Sequence, residues 1–207
     1  MYMKKIIVLA VALLLGLQAK AQIVANGGFA VAFENAKVSY LDGDYYSHHS
    51  ALFGIYAGAN YYFSLDNLVD GLAVLPGANL SLLMGRHWDF DDVKVRELAL
   101  NLPVQACYTY EINSDFKVFG QTGPTLQFAL THKAITPGAT YNLLSKKNNF
   151  GEVRSPFNLY WGFAAGAEII EMLRIEAGYD FGFCNLSRND GLKIHRGFLH
   201  IGVGYLF

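Results

Sequence analysis

In seven segments between residue 51 and Phe207, apolar side chains recur at every second position, and within them one of the two phases carries no charge. In 97–110, Leu98, Leu100, Leu102, Val104, Ala106, Tyr108 and Tyr110 alternate with Glu97, Ala99, Asn101, Pro103, Gln105, Cys107 and Thr109. In 51–64, Phe53, Ile55, Ala57, Ala59, Tyr61 and Phe63 alternate with Gly54, Tyr56, Gly58, Asn60, Tyr62 and Ser64. The pattern repeats at 72–84, 116–130, 158–169, 173–184 and 196–207. Successive side chains of a strand point to opposite faces, so period two predicts strands with one apolar face. A weaker copy lies in 28–41, where Phe29, Val31 and Phe33 fall out of phase with Val38 and Tyr40. A bulge near Glu34-Asn35 is expected to reconcile them. Eight strands result.

Their connections differ in length. Long polar segments occupy 41–50, 85–95, 131–157 and 185–195, and shorter ones occupy 65–71, 111–115 and 170–172. Long and short alternate, which predicts an up-and-down meander with every long loop at one end. The long 131–157 segment is either a functional loop or an extension of its neighbouring strands.

A soluble barrel would alternate too, so the decision rests on which face points outward. The polar phase is mostly Gly, Ala, Asn, Gln, Thr and Ser, with isolated charges at Glu97, Lys117, Glu168, Arg174, Glu176, Asp180 and Arg196. Small and amide side chains with a few opposite charges suit the packed lumen of a narrow barrel. A charge there needs a partner, so these seven are expected to form a lumen polar network. On the apolar phase, Tyr61, Phe63, Tyr108, Tyr110, Phe116, Tyr205 and Phe207 fall at the short-turn ends. Phe53, Phe128, Trp161, Phe163, Phe181 and Phe183 fall toward the loops, with aliphatic residues between. Two aromatic girdles around an aliphatic band predict an eight-stranded antiparallel transmembrane β-barrel.

The first segment is separate from that fold. Lys4 and Lys5 precede an apolar stretch at 6–17, and Ala19-Lys20-Ala21 is an A-x-A site. The stretch is short of the ~20 residues of a spanning helix. Residues 1–21 therefore read as a cleaved signal peptide, and 22–207 as the barrel domain. A net charge of −1 without a Lys/Arg stripe excludes a nucleic-acid footprint. Hydrophobic residues at 53% exclude disorder.

The final strand, Leu199-His200-Ile201-Gly202-Val203-Gly204-Tyr205-Leu206-Phe207, ends on Phe with outward residues every second position. It resembles the assembly signal of bacterial outer-membrane barrels, with Tyr205 and Phe207 as its carriers. Glu97-Leu98-Ala99-Leu100-Asn101-Leu102-Pro103-Val104 and the Gly-rich Gly162-Phe163-Ala164-Ala165-Gly166-Ala167 are similar to strands of the small porin-like outer-membrane β-barrel domain family of Gram-negative bacteria. The resemblance covers the whole of 22–207. It implies an architecture and a location in the outer membrane, not an activity. Pro76, Pro103 and Pro124 depart from the strand pattern and are expected at bulges or rims.

Candidate sites are sparse. Arg86-His87-Trp88-Asp89-Phe90-Asp91-Asp92 is acidic and aromatic, and His87, Trp88, Asp89, Asp91 and Asp92 make a candidate surface recognition loop. His48 and His49 lack the companions of a metal site. Cys107 and Cys184 are expected as free thiols facing the lumen. A rim hydrolase needs a hydroxyl, a base and an orienting acid, and only Ser187 with His195 or His132 comes near that set.

The expectation is therefore a monomeric, non-enzymatic protein without cofactor or metal. Its role is structural or surface-interactive: membrane integrity, adhesion or lipopolysaccharide contact through its loops. Expected partners are outer-membrane lipid and lipopolysaccharide, the barrel-assembly machinery during biogenesis, and host or matrix surfaces. The alternatives are a small porin or solute-binding barrel, and a rim-located lipid A hydrolase.

Overall fold

A computed structural model describes residues 21–39, 45–90, 92–170 and 172–207. The expected signal peptide lies almost wholly outside the described residues, as do Tyr40 and Asp91. The described chain forms β1 (Ala21–Ser39), β2 (Tyr45–Ser64), β3 (Leu72–Arg86), β4 (Lys94–Asn113), β5 (Phe116–Ile135), β6 (Thr140–Asn142), β7 (Phe157–Ile169), β8 (Leu173–Gly182) and β9 (Leu192–Leu206). Every pairing is antiparallel. The sheet runs β4-β3-β2-β1-β9-β8-β7-β5, and pairing of β4 with β5 closes it into a ring. Eight strands make the wall. The ninth, β6, is a three-residue strand that pairs with Lys133–Ile135 above the point where β7 leaves β5.

The two phases separate as alternation requires. In β4 the pattern of burial switches at nearly every residue, with Glu97, Ala99, Asn101, Pro103, Gln105 and Cys107 inside. Outside, Phe29, Phe53, Tyr108, Trp161, Phe163, Phe181, Tyr205 and Phe207 are exposed, and Leu80, Val104, Ile175, Ile201 and Val203 lie among them. A continuous apolar belt of this extent has no place in water. The chain is a transmembrane β-barrel of the outer-membrane type.

The phase conflict in the first strand resolves differently from the expectation. No bulge occurs at Glu34-Asn35; pairing runs without a shift from Ala21↔Phe63 to Ser39↔Tyr45, and equally along β9. Val38 keeps the inward phase. An apolar residue is tolerated there because the loop end has its own packed core, in which Ala36, Leu186 and Ile194 meet Trp88 and Leu192. The prolines are not at bulges either. Register is unchanged on either side of Pro76, Pro103 and Pro124. The shifts fall between Leu98 and Ala99, opposite an extra Leu130, and between Glu111 and Asn113.

Much of the long polar segments is strand. β1, β2, β4 and β5 have 19 or 20 residues each, about twice the 9–11 that cross a bilayer. The barrel therefore stands above the apolar belt at its loop end. Its interior is filled in layers. Ala73, Leu75, Cys107 and Phe119 pack with Tyr62 at the short-turn end. Tyr56, Leu52, Leu83, Val95, Tyr160 and Phe198 pack higher up. Tight closure demands glycine where a neighbour crosses: a Cβ on Gly202 would run into the Tyr56 hydroxyl, and one on Gly197 into that of Tyr179.

Candidate functional site

The loop end of the lumen is closed by a chain of buried charges. It starts on β1, where Glu34 is 3% exposed. Arg196 of β9 donates to Glu34 Oε1 through Nη2 at 2.5 Å and Nε at 3.1 Å, and to Glu97 of β4 through Nη1 at 2.6 Å. Glu97 Oε2 lies 2.5 Å from His132 Nδ1 on β5. Arg154, from the segment between β6 and β7, reaches back to Glu34 with Nη1 at 2.8 Å and Nη2 at 3.2 Å. Its Nε donates to Glu152. Glu152 Oε2 lies 2.9 Å from His87 Nε2 and accepts from Trp88 Nε1 at 2.8 Å. Three carboxylates thus face two guanidiniums and two imidazoles in one continuous path across the barrel.

Each link offsets desolvation that would otherwise be prohibitive, since a buried ion is tolerated only when paired and hydrogen-bonded. Two members outside the strands, Glu152 and Arg154, show this directly. Burial raises the Glu152 carboxyl, but Arg154 and His87 outweigh it and hold it at about 2. Burial lowers the Arg154 guanidinium, and Glu34 with Glu152 more than reverses that. Below the ions, Arg196 approaches Gln127 at 3.5 Å, Tyr160 donates to Gln127 at 3.1 Å, and Gln127 donates to Asn101 at 2.9 Å.

The other expected network members form separate groups. Arg174 and Glu168 meet at 3.0 Å toward the short-turn end. The Arg174 guanidinium also lies 3.8 Å over the Phe119 ring and its Nη2 points to Cys107 Sγ at 3.7 Å. Lys117 is partly exposed at the rim, 3.7 Å from Glu111. Glu176 accepts from Tyr56 Oη at 3.4 Å and Gln121 Nε2 at 3.2 Å, with His200 Nδ1 3.9 Å away. Asp180 borders the same mid-barrel chamber, and its Oδ1 has no hydrogen-bond partner. Only Glu97 and Arg196 of the seven belong to the loop-end path.

Glu34, Glu152 and Arg154 carry no mark of a site in the sequence pattern. The nearest to one is that Glu34 is the single acid on the small-residue phase of Ala30, Ala32 and Ala36, which the expected bulge interrupts. Glu152 and Arg154 sit in a segment without periodicity, so nothing local marks them. His87 and Trp88 correct the recognition-loop expectation: His87 is 4% exposed and Trp88 is half-buried, because both turn inward to Glu152. Asp89 and Asp92 remain exposed.

Tyr205 and Phe207 are exposed on the outer wall with rings 4.8 Å apart, and the Phe207 N–H donates to Ile23 O at 2.9 Å. Cys107 and Cys184 are free. The Ser187 hydroxyl is buried and accepts from the Asn189 N–H, His132 is engaged by Glu97, and His195 is exposed. His48 is exposed and leans on the Trp88 ring at 5.6 Å. The described residues contain no cluster of three or more metal-ligating side chains.

No family model and no curated protein matches this chain. Solved structures do. Neisserial surface protein A is 14% identical with a TM-score of 0.46, over 90% of this chain and 97% of that one. The attachment invasion locus protein Ail of Yersinia pestis is 13% identical with a TM-score of 0.38, over 88% and 99%. The outer-membrane protease OmpT of Escherichia coli is 10% identical with a TM-score of 0.46, over 90% and 96%. Surface proteins and an enzyme stand side by side at this level, so the likeness assigns no activity.

Proposed function

We propose that this is a non-conducting, non-catalytic outer-membrane barrel that serves membrane integrity and contact at the cell surface through its loop end. The observation that carries the reading is the path His87–Glu152–Arg154–Glu34–Arg196–Glu97–His132, which ties four wall strands, β1, β9, β4 and β5, and two loop segments together across the lumen. A pore needs a water path there; instead the largest groups are ion-paired and almost fully buried. In this reading residues 1–21 are removed on export, Tyr205 and Phe207 present the strand to the assembly machinery, and the exposed acids Asp89 and Asp92 face outward partners. The same reading makes Glu168 with Arg174, Lys117, Glu176 and Asp180 lumen-filling groups that hold the lower wall in register.

The test is conductance of the full protein in planar bilayers. The expected result is no unitary steps for the native chain, with steps appearing when Glu34 and Arg154 are both replaced by Ala. Stable conductance of the native chain would overturn the reading in favour of a small porin. Loss of an acyl chain from lipid A on overexpression, read by mass, would overturn it in favour of a hydrolase.

A further inference from the structure

The outward phase of the wall strands carries charge only at its loop end, and there every charge is positive. Lys37, Arg86, Lys94, Arg96, Lys133 and Lys193 are all exposed. They stand in direct cross-strand pairs: Lys37↔Lys193, Arg86↔Lys94 and Arg96↔Lys133. Like charges placed opposite one another destabilise a sheet. Three such pairs at the loop end, with no acid on the same face of the described strands and no ion pair to any of the six among the described residues, are costly unless something anionic lies against them. The apolar face resumes at Met84, two positions below Arg86, at Leu98, two below Arg96, and at Phe33, four below Lys37, so the pairs border the apolar belt on its loop side.

One pair is built into a groove. Arg96 and Lys133 share a surface depression of about 320 Å³ with Leu82, Leu98, Ile135, Thr131 and Thr140. The register shift at Leu98/Ala99 adjoins it; a bulge bends its strand and re-aims neighbouring side chains. Cations beside the aliphatic side chains of Leu82 and Leu98 match an anion joined to a hydrocarbon chain. Arg suits the anion in particular, because its planar fork meets phosphate oxygens in pairs.

We propose that the Arg96–Lys133 groove binds a phosphate of lipid A with an acyl chain laid on Leu82 and Leu98, and that the other two pairs extend it as a cationic collar. This rests on the outer-membrane reading and on its orientation, with the long connections outward. It moves the lipopolysaccharide contact from the loops to the barrel wall.

The experiment uses the full folded protein in detergent, titrated with bis-phosphorylated lipid A, with the same lipid lacking its phosphates, and with phosphatidylglycerol. Native protein is expected to bind the phosphorylated form at least tenfold tighter than either other lipid, and more weakly as salt rises. R96Q/K133Q is expected to lose that preference while keeping heat-modifiable migration on a gel. K133E gives a reading that a purely structural role would not: an Arg96–Glu ion pair should raise the melting temperature in lipid-free detergent while abolishing lipid A binding. Should R96Q/K133Q not fold, K133E and K133Q carry the comparison. Equal binding of phosphatidylglycerol, or undiminished lipid A binding by the variants, would overturn the site. Recovery of the native chain away from outer membranes on fractionation would instead overturn the reading beneath it.

Discussion

Replacing Glu34 by Ala leaves two guanidiniums, Arg154 and Arg196, without their shared acceptor in a region closed to water. Breaking a buried ion pair from one side costs about 3–5 kcal/mol, and the expected result is a fall of that size in unfolding free energy measured by urea titration in detergent. Glu152 supplies a pH dependence with a definite sign. Its carboxyl lies at about 2 in the folded protein against an ordinary 4.5. Its contribution is therefore complete above 4.5 and is lost as pH falls through about 2. Trp88 donates to that carboxylate, so in the W161F variant the emission of Trp88 should shift to the red over this window and not between pH 5 and 8. These residues were only partly legible in the sequence. Glu97 and Arg196 stand on alternating segments and declared their inward direction. Glu152 and Arg154 owe their burial to a segment folding over the lumen, which no period reveals.

At the scale of the strand, register is set by side-chain phase, and a slip of one residue exchanges inside for outside. The chain tolerates three prolines because loss of a ladder hydrogen bond interrupts pairing without changing the count. It shifts register only where a residue is extra, as at Leu130 and Ile112. Composition draws attention to the prolines, but counting across partners decides, and partners are a property of the sheet. Close approach between strands is similarly specific. Gly202→Ala places a methyl group against the Tyr56 hydroxyl and should cost about 1–3 kcal/mol by overpacking. Tyr56→Phe in the same chain should recover part of the loss, because the obstruction is the oxygen; equal midpoints for G202A and the double variant would refute this account of β9 packing.

The whole molecule is a barrel with its insulation outside and its charges within or above the membrane. A charge introduced into the belt therefore acts on the molecule's fit to lipid more than on any single contact. Ile201→Arg, on the exposed apolar face beside Phe29, is expected to cost about 2–4 kcal/mol, the cost of Arg at the lipid face of a barrel. The same change at Lys193, already above the belt and written K193R, should be neutral; refolding yields into lipid vesicles compare them. Alternation, a charge-free phase and aromatic sorting are local properties with a period of two, so they specify a closed barrel and, in every wall strand except β1, which side faces outward. Which charges meet is a property of the closed ring. Glu34 finds Arg154 at a separation of 120 residues and Arg196 at 162. Contacts across a lumen depend on the stagger accumulated around the ring and on a loop folding inward, and neither is written in the period of any one strand.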